Sequence, residues 1–191
     1  PFIAAVKRYE LIQTGDRVAV CISGGKDSML QAKLIQQLQR VSEVPFEAKY
    51  LVMDPGYHPV NRTKIQENAA LLGIPIQIFD TDIFAVTEHE PKNCCYLCAR
   101  MRRGHLYSLA QSLGCNKIAY AHHKDDVVET MMLSLLYEGR FHSFDPVTYL
   151  DRMDLTVIRP LLLVDEADVI GFKNKYNLPV CKSPCPADGY T

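Results

Sequence analysis

The chain has 191 residues, of which 48% are hydrophobic and 23% are charged, and its formal net charge is −1. This composition is typical of a globular protein with one main core and excludes an intrinsically disordered chain. The near-zero charge provides no overall basic surface, so a nucleic-acid partner would have to meet a local patch. No apolar stretch approaches the roughly 20 residues that a membrane span needs.

The cysteine content points to a reducing compartment. The seven cysteines are Cys21, Cys94, Cys95, Cys98, Cys115, Cys181 and Cys185. An odd number does not suit a secreted disulfide framework, so we expect a cytoplasmic protein in which some thiols bind metal or act in redox chemistry. Cys21 and Cys115, in or before predicted strands, are expected in the core. We expect one domain over residues 1–191, with a cysteine-containing C-terminal tail and both termini truncated.

Strands and helices alternate along the chain. In chain order we predict a helix at Phe2–Leu11, a strand at Arg17–Ile22, a helix from Ser28 to Val41, a strand at Phe46–Met53, a helix at Asn61–Leu72, a strand at Ile74–Phe79, a helix at Tyr96–Leu113, a strand at Lys117–Ala121, an apolar-faced helix at Asp125–Tyr137, a strand at Thr156–Ile158 and a helix at Asp165–Tyr176. This order predicts an α/β fold in which a doubly wound, parallel, five-stranded sheet is covered by helices on both faces.

Three unusual segments follow predicted strands: Ser23–Ser28, Asp54–Tyr57 and His122–Asp126. In parallel sheets, ligands bind beyond the carboxyl ends of the strands. Because all three segments would meet at that edge, the sequence predicts a nucleotide site there.

The segment Ser23–Ser28 reads SGGKDS and joins a strand to a helix. Gly24 and Gly25 lack a Cβ, so the backbone can approach a ligand closely. Serine hydroxyls and the amide groups at the helix start would complete a cradle for pyrophosphate. The spacing fits neither a Walker loop nor a dinucleotide-binding loop. The alternative is an ordinary turn in which Asp27 or Ser28 caps the helix.

A second group combines two histidines with two carboxylates. His122 and His123 end the fourth predicted strand, and Asp125 and Asp126 open the next helix. A carboxylate pair facing a triphosphate suits Mg²⁺, which prefers oxygen ligands shared between protein and phosphates. In the alternative interpretation the carboxylates only complement the helix dipole and the histidines only fill the turn.

A third group is the CxxC motif formed by Cys95 and Cys98 at a helix start, followed by three arginines of the same helix. These surroundings lower thiol pKa values and favour metal binding. Cys185 is the plausible third ligand, with Cys94 or Cys181 as substitutes. Three cysteines on an iron–sulfur cluster would leave one iron open. Zinc completed by a histidine or Cys94, a redox pair and plain packing stay open as alternatives.

Four ordered motifs resemble the PP-loop ATP pyrophosphatase superfamily and, within it, the tRNA 2-thiocytidine synthetase (TtcA-like) family. Ser23–Ser28 is similar to the SGGKDS loop, Cys95–Gly104 to CxxCxRxRRG, His122–Thr130 to HHxDDxxET and Ile158–Leu161 to IRPL. The resemblance extends from about Gly15 to Gly189. The tail around its cysteines and the segment after the second strand agree only loosely with the family.

The resemblance implies an adenine nucleotide alpha hydrolase-like sheet of order 3-2-1-4-5, conversion of ATP to AMP and pyrophosphate, and a [4Fe-4S] cluster. The implied enzyme is a cytoplasmic ATP-dependent tRNA sulfurtransferase that adenylates a base carbonyl, cytidine in the first place, and replaces its oxygen with sulfur. Its implied partners are tRNA and a sulfur donor such as a cysteine desulfurase or free sulfide. We expect no membrane partner, and a homodimer stays open.

The resemblance also suggests residue roles. The expected ATP-binding residues are Ser23, Gly24, Gly25, Lys26, Asp27, Ser28, Met53, Asp54, His122 and His123. The expected catalytic residues are Lys26 and Asp27 together with Asp125 and Asp126, which would hold Mg²⁺. The expected cluster ligands are Cys95, Cys98 and Cys185. Adenine is placed near Met53 and Asp54, with Asp54 also holding the ribose.

The sequence is also compatible with other functions. The same ATP loop could serve thiolation of uridine, or a lysidine-synthase-like enzyme that would not need the cysteine triad. A non-catalytic iron–sulfur or zinc module that binds tRNA would not need the SGGKDS and HHxDD segments together. Arg102 and Arg103 could hold a phosphate or the tRNA backbone, or form a solvated helix face.

Overall fold

The structure is a computed structural model that describes residues 1–88 and 94–179. In chain order the elements are α1 (Phe2–Arg8), β1 (Arg17–Ile22), α2 (Lys26–Val41), β2 (Glu47–Asp54), α3 (Pro59–Leu72), β3 (Ile76–Asp80), α4 (Ile83–Glu88), α5 (Cys94–Ser112), β4 (Lys117–Ala119), α6 (Lys124–Leu133), a π-helix (Ser134–Glu138), β5 (Val147–Leu150), β6 (Leu155–Ile158) and α7 (Glu166–Lys175). No described helix is both long and apolar enough to cross a membrane.

The strands form one sheet of order β3-β2-β1-β4-β6-β5. All neighbouring pairs are parallel except β5 and β6, which pair antiparallel. The predicted fifth strand is β6, so the parallel strands have the predicted order and the fold class is confirmed. The additional strand, β5, lies at the sheet edge and was not predicted.

The central strand β1 is buried on both faces because successive side chains point to opposite sides of the sheet. Val18, Val20 and Ile22 belong to the larger core cluster. Ala19 and Cys21 belong to a smaller cluster on the other face, which also contains Cys115. Burial raises the pKa of Cys21 to about 12 and raises that of Cys115. Both thiols are therefore core residues, as the sequence predicts.

Local signals explain several element boundaries. Pro59 begins α3, where its fixed φ suits a first helical position, and Gly73 ends it in the left-handed region at φ 65°. The sequence predicts one helix at Asp125–Tyr137. In the structure this segment is an α-helix, α6, up to Leu133 and a π-helix from Ser134 to Glu138. No residue of α6 is buried, and Val128, Met132 and Leu133 on this helix are about half exposed.

The parallel order fixes where the loops lie. The segments that follow β1, β2, β4 and β6 leave the sheet at one edge, the carboxyl edge. These segments include the SGGKDS loop, the turn after Asp54, the two histidines and Arg159 of the IRPL segment. The fold therefore gathers three of the four family-like motifs at one edge. Cys181 and Cys185 lie outside the described residues.

Candidate functional site

The loop between β1 and α2 is held by its own serines. The Ser28 hydroxyl donates to the Gly25 carbonyl at 3.0 Å and accepts from the Ser23 backbone N–H at 3.2 Å. Ser23 Oγ lies 3.3 Å from Ser28 Oγ. Gly24 adopts φ +86°, and α2 begins directly after Gly25. The loop thus passes over the positive end of a 16-residue helix, where backbone N–H groups suit an anion.

Gly24 is required by space as well as by backbone conformation. A Cβ on Gly24 would lie 2.6 Å from Cγ1 and 2.8 Å from Cδ1 of Ile65. Ile65 belongs to α3 and is 1% exposed, so it has little room to move. The close approach of the loop backbone to α3 therefore depends on the absence of a side chain.

We expect Gly24→Ala to destabilise the protein by about 2–3 kcal/mol, combining left-handed strain with an overpacked contact. Gly15→Ala is the matched control, because Gly15 has φ +85° but no atom within 4 Å of its Cβ position. Denaturant unfolding of both variants checks the prediction. Equal losses of unfolding free energy would show that the Ile65 contact has no effect.

Lys26 lies between two carboxylates at the start of α2. Its Nζ is 3.1 Å from Asp27 Oδ1 and 3.0 Å from Glu166 Oε1. Burial by itself lowers the pKa of Lys26, but hydrogen bonds to Glu166 and Asp27 outweigh burial and raise it above the ordinary value. The loop therefore carries a fixed positive charge beside its amide groups.

His123 joins the SGGKDS loop to the carboxylates of α6. Its Nε2 lies 3.5 Å from Asp27 Oδ1, and its Nδ1 lies 3.5 Å from Asp126 Oδ2 and 3.7 Å from Asp125 Oδ2. The His123 backbone N–H also donates to Asp126 Oδ2 at 2.8 Å, which caps α6. His123 is 6% exposed. Its imidazole thus lies between Asp27 of the SGGKDS loop and the carboxylates of Asp125 and Asp126 at the start of α6.

The beginning of α7 also contacts the candidate ATP site, which the sequence motifs did not indicate. The Glu166 backbone N–H donates to Asp125 Oδ2 at 2.8 Å. The Lys124 N–H donates to the Val164 carbonyl at 3.0 Å, and Lys124 Nζ lies 2.6 Å from Asp165 Oδ1. One signal for this contact was available, because a helix that follows a parallel strand begins at the carboxyl edge.

Among residues 1–88 and 94–179, no group of three His, Cys, Asp or Glu side chains could hold a metal ion. Mg²⁺ commonly uses one or two protein carboxylates together with substrate phosphates. Asp125 and Asp126 are partly exposed at the start of α6, so both can face a ligand. Their magnesium role stays a prediction.

His122 lies in a cluster of aromatic rings that no sequence motif indicates. Its ring centre lies 4.7 Å from that of Phe144 and 6.0 Å from that of Tyr120. The Arg159 guanidinium lies 5.0 Å from the Phe144 ring centre. Burial, then the charge of Arg159, lowers the pKa of His122. Phe144 therefore connects the HHxDD and IRPL segments, although no pattern in the sequence marks it.

Asp54 organises the turn that follows β2. Its Oδ1 accepts from the backbone N–H groups of Gly56 at 2.9 Å and Tyr57 at 2.6 Å, and its Oδ2 lies 3.0 Å from Arg62 Nη1. Asp54 and Met53 are each 4% exposed. The carboxylate thus has a clear structural role at the predicted adenine side, and contact with a ribose stays a prediction.

The cysteine motif lies in the first turns of α5. Cys95 is exposed and Cys98 is partly buried. Residues spaced by three and four share a helix face, so both cysteines face the same way as Arg102. Arg102 Nη2 lies 3.5 Å from the Tyr57 hydroxyl. The cysteine face of α5 therefore points toward the turn after β2.

The last described residue, Pro179, contacts the helix that packs on the SGGKDS loop. The Asn68 side chain donates to the Pro179 carbonyl at 3.3 Å, and Asn68 lies one turn beyond Ile65 on α3. Ile65 is the residue that faces Gly24. Pro179, the last described residue, is thus tied to the helix that packs on the SGGKDS loop.

Solved structures share this fold. A U34-tRNA thiolase, NcsA from Methanococcus maripaludis with its [4Fe-4S] cluster, superposes with a TM-score of 0.70 at 23% identity, over 97% of this chain and 66% of that one. A phosphoadenylyl-sulfate reductase from Candida auris superposes with a TM-score of 0.56 at 11% identity, over 92% of this chain and 79% of that one. At these low sequence identities, the structural similarity shows that the proteins share a fold.

Sequence comparisons identify the family. The model of the PP-loop domain family matches residues 3–184. The chain is 35% identical over 190 residues to the tRNA-cytidine(32) 2-sulfurtransferase of Pelobacter propionicus, covering 98% of this chain and 71% of the relative. It is 37% identical over 188 residues to that of Geobacter sulfurreducens, covering 97% and 73%. The resemblance inferred from the motifs is confirmed: the chain belongs to the PP-loop family and, within it, to the family of the tRNA-cytidine 2-sulfurtransferases.

Proposed function

We propose that this protein is an ATP-dependent tRNA sulfurtransferase that replaces the oxygen at C2 of a cytidine with sulfur. The observation that carries the proposal is the continuous series of polar side chains from Lys26 through Asp27 and His123 to Asp126 at the carboxyl edge of the sheet, each within 3.5 Å of the next. Cytidine is favoured over uridine because the relatives that are 35–38% identical over almost the whole chain are cytidine enzymes.

The phosphates of ATP would lie over the SGGKDS loop. The helix start at Gly25 supplies backbone N–H groups, and Lys26 supplies a positive charge. The adenine would lie toward the end of β2, where Met53 and Asp54 are located. In this arrangement Asp27 contacts Lys26 and His123 and not the phosphates themselves.

The first chemical step transfers the adenylyl group. The C2 oxygen of the base attacks the α-phosphorus, a P–O bond forms, and the bond to the β-phosphate breaks so that pyrophosphate leaves. Charge develops on the phosphate oxygens in this step, and fixed positive charge at Lys26 stabilises it. Asp125 and Asp126 would hold Mg²⁺, which adds positive charge at the same phosphates.

The second step replaces oxygen with sulfur. A sulfur nucleophile attacks C2, and AMP leaves with the former base oxygen, which yields 2-thiocytidine. The sulfur would come from a donor such as a cysteine desulfurase or free sulfide.

Cys95 and Cys98, with Cys185, would hold a [4Fe-4S] cluster. Two thiols on one face of a helix start suit this group, because the positive helix end favours thiolates. The buried thiols of Cys21 and Cys115 do not suit it, since burial disfavours their charged forms. Such a cluster would supply an open iron site for sulfur. The thiolase NcsA, which shares the fold, contains a [4Fe-4S] cluster.

tRNA is the macromolecular partner, and Arg102 and Arg103 on α5 lie on the cysteine-bearing helix where they can meet its phosphates. We place the enzyme in the cytoplasm, where tRNA is modified. The net charge of −1 predicts a local contact surface in place of an extended basic one.

Nucleoside mass spectrometry of tRNA from cells with and without the gene tests the function. We expect 2-thiocytidine to disappear when the gene is removed and to return with the wild-type gene. Loss of a 2-thiouridine instead would move the target to uridine, and loss of lysidine would favour the lysidine-synthase alternative. An unchanged nucleoside profile would contradict a role in tRNA modification.

Asp27→Asn tests the nucleotide loop. The amide keeps the size of the side chain but removes the charge that Lys26 and His123 both contact. We expect kcat/KM for ATP to fall by about 10- to 100-fold, which corresponds to roughly 1.4–2.7 kcal/mol. Pyrophosphate release measures the effect. Glu43→Gln, an exposed carboxylate beyond the far end of α2, should have no effect, and an unchanged Asp27→Asn enzyme would contradict the proposed role.

A further inference from the structure

Glu166 contacts the nucleotide loop from a different part of the fold. It lies in the first turn of α7, and its Oε1 is 3.0 Å from Lys26 Nζ. That distance matches the 3.1 Å contact of Lys26 with its own neighbour, Asp27. Lys26, the cation of the loop, is thus held by one carboxylate of its own helix and one brought by α7.

The position of Glu166 creates a conflict with ATP. Phosphates over the loop would come beside the Lys26 ammonium, where a carboxylate already lies within hydrogen-bond distance. Two like charges on one ammonium repel each other across a few ångströms. Binding of the triphosphate therefore favours a state in which the Glu166 carboxylate has moved off Lys26.

Moving the Glu166 carboxylate off Lys26 costs little free energy. The side chains of Lys26 and Glu166 are 23% and 43% exposed, and an ion pair that water reaches is weak. The backbone of Glu166 is held independently, since its N–H donates to Asp125 Oδ2 at 2.8 Å. The Lys124 N–H donates to the Val164 carbonyl at 3.0 Å, two residues before Glu166. The carboxylate can therefore swing away while the start of α7 stays in place.

We propose that Glu166 is a positioning residue, which holds Lys26 while the site is empty, gives it up to the phosphates of ATP and takes it back as pyrophosphate leaves. This inference rests on the proposed function, because it assigns a role within the same ATP site. In this cycle Glu166 lowers the affinity for both ATP and pyrophosphate, and it speeds product release.

Equilibrium binding of ATP and of pyrophosphate, measured by calorimetry on the full chain, tests the inference. Loss of a partly exposed ion pair predicts about two- to fivefold tighter binding of both ligands to Glu166→Gln. Pyrophosphate should inhibit this variant more strongly.

Two further variants separate the contact from the charge. Glu166→Asp keeps the charge but shortens the side chain by one methylene, so it should bind the ligands as tightly as Glu166→Gln. Asp165→Asn removes one negative charge from the adjacent position, where the partner is Lys124. We expect ATP and pyrophosphate to bind Asp165→Asn with wild-type affinity.

The outcomes are distinct. Unchanged or weaker ligand binding by Glu166→Gln with wild-type thermal unfolding would overturn the inference. Tighter binding by Asp165→Asn, or wild-type binding by Glu166→Asp beside a tight Glu166→Gln, would show that charge acts without the contact and would also overturn it. If Glu166→Gln is unstable, Glu166→Asp decides, and wild-type affinity there contradicts the contact. A wild-type protein that binds neither ligand would instead refute the proposed function.

Discussion

Replacement of Cys98 by serine is expected to abolish thiolated tRNA, with a loss of more than about 100-fold, while ATP-dependent release of pyrophosphate continues. Serine nearly preserves the size of the side chain but is a poor ligand for iron, which in such clusters is held by thiolates. The side chains that Lys26 and His123 contact in the candidate ATP site, Asp27 and Glu166, lie on α2 and α7 and not on α5, so adenylation should survive. Nucleoside mass spectrometry and a pyrophosphate assay on the same preparation measure the two halves of the reaction.

Other cysteine variants define the ligand set. Cys94 Sγ lies 3.9 Å from Cys95 Sγ, and Cys94→Ser should thiolate tRNA normally if Cys95 is the ligand. Cys115→Ala, in the core, should change only stability. Visible absorbance of anaerobically purified protein should disappear in Cys98→Ser but remain in Cys115→Ala. Full thiolation by Cys98→Ser would refute the cluster, and loss of thiolation in Cys94→Ser would move a ligand to Cys94.

The sheet was predictable because its signals are local. The apolar run Arg17–Ile22 is bounded by polar residues on one side and by SGGKDS on the other, and β1 has those same limits. Because parallel strands place their carboxyl ends together, the order of strands also brought Ser23–Ser28 and His122–Asp126 to one edge. The contact between Asp27 and His123 follows from that placement.

The missed elements have weaker signals. β5 is a four-residue strand that follows Pro146 and pairs with β6 at the edge of the described sheet. α4 has six residues, too few for a periodic pattern. For Asp125–Tyr137, periodicity showed an apolar face but not what covers it. In the described chain, Leu136 is 71% and Tyr137 84% exposed.

Side-chain partners in the site were harder to predict than its location. Glu166 reaches Lys26 because α7 begins at the carboxyl edge, but the alternating pattern does not say which of its acidic residues points inward. Asp165, one position earlier, pairs with Lys124 instead. Likewise, nothing in the sequence around Phe144 shows that it packs against His122. Such contacts depend on rotamers and loop paths, which local patterns do not encode.

A buried ion pair lies at the edge of the sheet where the parallel strands begin, opposite the candidate ATP site. Asp16 Oδ2 lies 2.7 Å from Lys117 Nζ, and the two residues are 6% and 9% exposed. Lys117 also donates to the Leu11 carbonyl at 3.0 Å, and Asp16 accepts from Gln13 N–H at 2.6 Å and from Asn116 Nδ2 at 2.8 Å. The pair therefore fixes the start of β4 against the residue before β1.

We expect Asp16→Asn to lower the free energy of unfolding by about 3–5 kcal/mol at pH 7, because the Lys117 ammonium stays buried without its partner charge. Glu47→Gln is the matched control. Glu47 pairs with Arg17 at 2.9 Å through a side chain that is 58% exposed, so its loss should cost less than about 1 kcal/mol. Denaturant unfolding at constant salt compares the two variants.

The pH dependence distinguishes the charge from the side-chain shape. Burial raises the pKa of Asp16, but hydrogen bonds from Lys117, Gln13 and Asn116 outweigh burial and leave the pKa below its ordinary value. A lowered carboxyl pKa stabilises the fold above the unfolded-state pKa of about 3.9 and loses that effect as the pH falls through the folded-state pKa. The difference between wild type and Asp16→Asn should therefore be constant from pH 5 to 7 and shrink below about pH 4. A difference that does not change with acidification would mean that packing, and not the charge of Asp16, holds β4 against β1.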